Sequence, residues 1–106
     1  MVKKNLLENL HVNLQEEIFE DLLKNDKFTI ERIVSHGQSS PEGYWYDQEE
    51  NEFVVLLSGE AHLIFEGEDI PIELAKGDAL LIPSRKKHRV DWTSPDEDTV
   101  WLTVHY

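Results

Sequence analysis

Cysteine is absent from the 106 residues. That absence removes disulfides, zinc-thiolate sites and thiol nucleophiles together, and it fits a reducing compartment. Basic side chains are scarce: ten Lys and Arg stand against 22 Asp and Glu, a formal net charge of -12. So acidic a domain repels phosphate backbones, which argues against nucleic-acid partners. No apolar run approaches the roughly 18 residues of a membrane span. The opening segment MVKKNLLENLHVNLQEE has no continuous apolar core of the signal-peptide kind. The expectation is a cytoplasmic protein with no membrane partner. G-x-S-x-G, a phosphate loop and a dinucleotide fingerprint are all missing, so serine-hydrolase and nucleotide-dependent chemistry have no support.

The acids that dominate the charge are spread along the chain, with one local run from Asp47 to Glu52. Most of them read as solubilising surface. An acidic cluster beside a pocket would also draw in cations. A chain of this length makes one domain with a modest core. Small barrels of this size often cover an edge or an apolar patch by pairing, so a homodimer is expected.

Asn13 to Glu16 forms a fair capping box, and Leu14, Ile18 and Leu22 with Phe19 and Leu23 follow helical spacing. One short amphipathic helix is predicted over 13–24, within an N-terminal segment 1–27. After Asn25-Asp26 the period becomes two. KFTIERIVS (27–35) reads as a strand, 36–43 as a loop, 44–47 as a short aromatic strand and 52–57 as a buried strand. Further strands are predicted over 60–65, 70–74, 79–82, 88–93 and 99–106, with Pro71 marking an edge. About eight short strands at roughly 8 to 12-residue spacing argue for an all-β sandwich or barrel.

GDALLIPSRKKH (77–88) places a glycine, a proline and a histidine at Gly77, Pro83 and His88. This spacing resembles the second motif of the cupin family, G-x5-P-x-G-x2-H-x3-N, with Arg85 in place of its glycine and Trp92 in place of its asparagine. Upstream, Glu52-FVVLLS-Gly59 fits E-x6-G, the end of the family's first motif, G-x5-H-x-H-x3,4-E-x6-G. The motif's histidine pair is missing and its leading glycine is out of register. A four-residue spacer before Glu52 puts Trp45 and Asp47 on the histidine places, and a three-residue spacer puts Tyr46 and Gln48 there. The chain is similar to small single-domain cupins of the conserved-barrel type with a degenerate first motif. The resemblance implies a double-stranded β-helix, or jelly roll, over 28–106.

His88 heads an alternating strand on which His88, Val90 and Trp92 would share a face. In cupins that histidine points into the barrel and binds a metal. Glu52 heads an inward face with Val54 and Leu56, and a carboxylate there needs a partner. Asp47 and Gln48 compete for the vacated histidine place, with Asp47 the harder oxygen ligand. These four form the metal candidates, for Mn, Fe, Ni or Zn. Trp45, Tyr46 and Trp92, with His105 near the end of the last strand, are the candidate walls of a ligand pocket. His62 reads as structural. Arg85, Lys86 and Lys87 read as a solvated turn, or as a greeting for an anionic substrate.

Two functions follow. In one, a divalent transition metal held by His88, Glu52 and Asp47 or Gln48 serves a dioxygenase or isomerase type of chemistry, with Tyr46 or His105 carrying protons. In the other, the cavity binds a small molecule with no metal, for sensing, storage or delivery. A pure interaction protein with a vestigial pocket is the third reading.

Overall fold

The computed structural model describes residues 2–10 and 15–106. Eight strands follow in order: β1 (Ile18–Lys24), β2 (Thr29–Ser35), β3 (Glu52–Ser58), β4 (Ala61–Phe65), β5 (Ile72–Leu74), β6 (Ala79–Ile82), β7 (His88–Thr93) and β8 (Thr99–His105). They form a five-stranded sheet in the order β1-β2-β8-β3-β6 and a three-stranded sheet in the order β5-β4-β7. Every pairing is antiparallel. The order is not sequential, so long connections carry the chain between sheets, as in a jelly roll. No helix among the described residues is long and apolar enough to cross a membrane.

Alternation fixes the inner faces. Val54 and Leu56 of β3, Ala61, Leu63 and Phe65 of β4, Leu74 of β5, Ile82 of β6 and Trp101 of β8 make one buried apolar cluster between the sheets. Trp101 Nε1 is satisfied inside it by donating to Ser35 Oγ at 3.1 Å. The predicted edge position of Pro71 holds, since β5 that follows it pairs only with β4.

The helix predicted over 13–24 is not formed in its described part. Ile18–Lys24 is the edge strand β1, paired with β2 from Ile18 opposite Val34 to Lys24 opposite Thr29. Residues 13 and 14, with the capping asparagine, lie outside the described residues. The physical reason is a bulge: the register shifts between Asp21 and Leu23. An extra residue there breaks the period of two, so apolar residues at 18, 19, 22 and 23 mimic a helical stripe. A short helix has little stability of its own, while the open edge of β2 offers a full ladder of hydrogen bonds. The predicted strand at 44–47 is likewise reduced to one bridge, Tyr46 opposite His88.

Candidate functional site in the barrel cavity

The apolar cluster fills one part of the barrel, and a cavity with apolar walls and a row of polar groups opens beside it. Strand register builds its wall. Glu52 of β3 sits directly opposite His105 of β8, and Glu31 of β2 sits opposite Thr103 of β8. The 44–48 segment runs along β7, with Tyr46 N donating to His88 O at 2.7 Å and His88 N to Tyr46 O at 3.2 Å. Directly opposed residues share a face, so Tyr46 and His88 both face inward.

The result is a row in which carboxylates and imidazoles alternate: Glu31, His105, Glu52, His88. His105 Nε2 lies 3.7 Å from Glu31 Oε1, and His88 Nε2 lies 3.6 Å from Glu52 Oε1. Thr103 Oγ1 donates to Glu31 at 3.5 Å. His88 Nδ1 donates to the Lys86 carbonyl at 2.9 Å, which turns Nε2 toward the cavity. The Tyr46 ring stacks on His88, with centroids 5.6 Å apart and planes at 26°. Glu17, just before β1, accepts a short hydrogen bond from Ser35 Oγ. Phe19, Ile33, Val54, Leu63 and Val90 add apolar wall. The cavity has a volume of about 100 Å³.

Burial and partners oppose each other at the histidines. Burial works to lower the pKa of His88. The polar contact and charge of Glu52, with the Lys86 carbonyl, outweigh it, and His88 rises above the ordinary histidine value. His105 is also raised, first by its contact with Glu31 and then by the field of Glu52 and Glu50, against burial. Burial raises Glu17, with the Ser35 hydrogen bond acting the other way. Tyr46 is raised by burial and by the charges of Glu17, Tyr44 and Glu52, so its phenol stays protonated as a donor.

The family model described as Cupin domain matches residues 31–105. The chain belongs to the cupin family. A candidate mannose-6-phosphate isomerase of Ralstonia eutropha JMP134 is 43% identical to this cupin, with a TM-score of 0.94 over 99% of this chain and 97% of that one. An RmlC-like cupin of Desulfovibrio desulfuricans is 25% identical, with a TM-score of 0.76 over 99% and 96% of the two chains. The polyketide cyclase RemF of Streptomyces resistomycificus, 21% identical with a TM-score of 0.73, covering 86% of this chain and 65% of its own, shares the fold alone. No curated protein matches the chain.

Cupins commonly hold a transition metal where His88 and Glu52 stand. The Nδ1 anchor on a backbone carbonyl is the arrangement expected of a metal-ligating histidine. A catalytic metal needs about three protein ligands converging on one point. Among the described residues no group of three or more His, Asp or Glu does so. His105 is drawn to Glu31, and His88 and Glu52 face each other.

Of the sequence candidates, His88, Glu52, Gln48, Tyr46 and His105 line the cavity. Asp47, Trp45 and Trp92 do not. The bridge of Tyr46 to His88 selects the three-residue spacer, so Tyr46 and Gln48 face inward and their neighbours outward. Asp47 meets Arg85 on the surface at 3.4 Å, and Trp45 lies under the Arg89 guanidinium, 5.4 Å from its centroid. Trp92 leaves the face of His88 because the β4–β7 register shifts: Leu63 pairs with Val90 but His62 with Trp92. Asp91 is the extra residue, and Trp92 packs outside on His62 at 4.7 Å. The basic run also lies outside the cavity, with Arg85 paired to Asp47 and Glu49 and Lys86 over the Phe65 ring. Glu17, Glu31, Thr103 and Trp101 are wall residues that the sequence reading missed. Glu31 had a signal, since it alternates with Ile33 on one face of KFTIERIVS. Glu17 had none, because it fell in the expected helix.

Proposed function

We propose that this cupin binds a small organic molecule in its barrel cavity, without a resident metal ion. The observation that carries the reading is the pairing of each inward imidazole with its own carboxylate, at 3.6 and 3.7 Å, beside an apolar wall and an open mouth. Such a cavity orients a ligand through a few polar groups and gains affinity from apolar contact. The name of the 43% identical relative suggests a phosphorylated sugar. The wall here argues against that class for this chain: among the described residues it carries three glutamates and no Lys or Arg, so a phosphate would meet repulsion.

One divalent ion, Mn, Fe, Ni or Zn, on His88 and Glu52 is the second reading. It is favoured by the carbonyl anchor on His88 Nδ1. Its signature is an ion that departs in His88→Ala while the fold is kept. A homodimer is part of the proposal, through the outer face of the five-stranded sheet. There Leu81, Phe53, Val104, Ile30 and Leu23 stand in one row of opposed residues across all five strands. Leu81, Phe53 and Leu23 are exposed.

A fragment screen by ligand-observed NMR in excess EDTA tests the binding reading. Fragments are expected to bind with the chelator present, and to lose contact in Ile33→Phe, which fills the cavity. Binding that requires added metal, or no binding by any fragment, would overturn it.

A further inference from the structure

The chemistry of the occupant follows from hydrogen-bond accounting, and it rests on the reading of the cavity as a small-molecule site. Glu17, Glu31 and Glu52 each offer about four acceptor positions and no donor when ionised. Among the described residues the protein supplies few donors in return. Ser35 Oγ serves Glu17, and Thr103 Oγ1 reaches Glu31 at 3.5 Å. The imidazoles stand at 3.6 and 3.7 Å from Glu52 and Glu31, longer than a hydrogen bond. Glu52 is only 8% exposed, and His88 is its nearest cationic partner.

Charge points the same way. With both imidazoles protonated, three carboxylates still leave an excess of negative charge in a wall that is otherwise largely apolar. A buried carboxylate in that position is costly until a donor meets it. A phosphate, a carboxylate or a bare hydrocarbon leaves the acceptors unfilled. A cation with N–H groups fills them.

We infer that the cavity takes a small organic cation, a primary or secondary ammonium or an amidinium on an apolar body. Its N–H groups donate to Glu52 and Glu31, and its body lies against Phe19 and Trp101. The aromatic walls add cation–π attraction near the charged head, and Glu17 supplies a further acceptor on the β1 side. The outward-facing Arg85 and Lys86 take no part.

The test is a matched series in which shape is constant and charge varies: benzylammonium, benzyl alcohol and benzoate, with butylammonium, butanol and butyrate as the aliphatic set. Binding to the wild-type protein is followed by chemical shifts of the Trp101 indole and the Tyr46 ring. The ammonium members are expected to bind at least about tenfold more tightly than the alcohols, with no binding by the carboxylates. That preference of ammonium over alcohol should shrink in Glu31→Gln and in Glu17→Gln, each checked for a native spectrum. Alcohols or carboxylates that bind as well as the ammonium compounds would overturn the inference and leave the binding reading standing. Failure of every member to bind, whatever its charge, would remove both.

Discussion

Gly59 and Gly77 look alike in the motifs and do different work. Both take a left-handed backbone, with φ of 86° and 91°. At Gly59 an added Cβ would lie 2.6 Å from Thr99 Cα and 2.8 Å from the Asp98 carbonyl oxygen. Backbone cannot move aside as a side chain can. Gly59→Ala is expected to cost about 3 kcal/mol or more, from overpacking plus left-handed strain. Gly77 has open space around it, so Gly77→Ala should cost only about 1 kcal/mol. Urea unfolding of the two variants checks the contrast, and equal losses would contradict it. Arg85 shows the same backbone demand met by a different residue: it holds φ of 64° in the place where the second motif has glycine.

Beside the β1–β2 ladder, one buried side chain ties residues 6–9 and β1 to the barrel. Arg32, on the outward face of β2, is 2% exposed. Its guanidinium donates to the carbonyls of Leu6, Glu8 and Asn9 at 3.2, 3.0 and 3.3 Å and to Glu20 at 3.3 Å. Arg32→Ala leaves those acceptors without donors, and a loss of about 3 kcal/mol is expected. Hydrogen exchange should quicken in residues 6–9 and in β1 while β3 and β8 stay protected. Uniform exchange across the molecule would show that Arg32 is no local clamp.

Legibility at this scale divides at the bulges. Strands β2 to β8 are readable in the sequence because each shows a period of two over most of its length or a short apolar run between turn residues. The bulge in β1 made a strand read as a helix, and the one at Asp91 turned Trp92 from the wall to the outside. An extra residue has no compositional mark, since only pairing with a neighbour reveals it. The choice between Asp47 and Gln48 depended likewise on which residue pairs with His88, a contact some forty positions away. His88, Glu52 and the inward face of β3 needed no such knowledge. Their motif spacing and alternation were enough.

For the whole molecule, the titrating groups of the cavity act in one direction. His88 and His105 are raised above 6.5 and Glu17 above 4.5, so the folded state binds more protons than the unfolded chain. The stabilisation from the histidines is fully present below 6.5 and is lost as pH rises through their folded values. The Glu17 contribution declines in the same sense from 4.5 upward. The net charge of -12 adds self-repulsion as pH rises. Stability against urea is expected to fall from pH 6 to pH 8, with a shallower fall in His88→Gln and His105→Gln. A rise over that range would contradict the assigned shifts. The outer apolar row makes a separate prediction. Light scattering should give twice the 12.4 kDa chain mass, and Phe53→Glu should give the monomer with its cavity intact. A wild-type monomer at micromolar concentration would refute pairing through this face.

The reading of the cavity as metal-free turns on stoichiometry. Untagged protein, purified without chelator and then incubated with Mn, Fe, Ni and Zn before desalting, should carry far less than one ion per chain by elemental analysis, with His88→Ala no different. Near one ion per chain, absent from His88→Ala, would contradict it and establish a metal centre on His88 and Glu52.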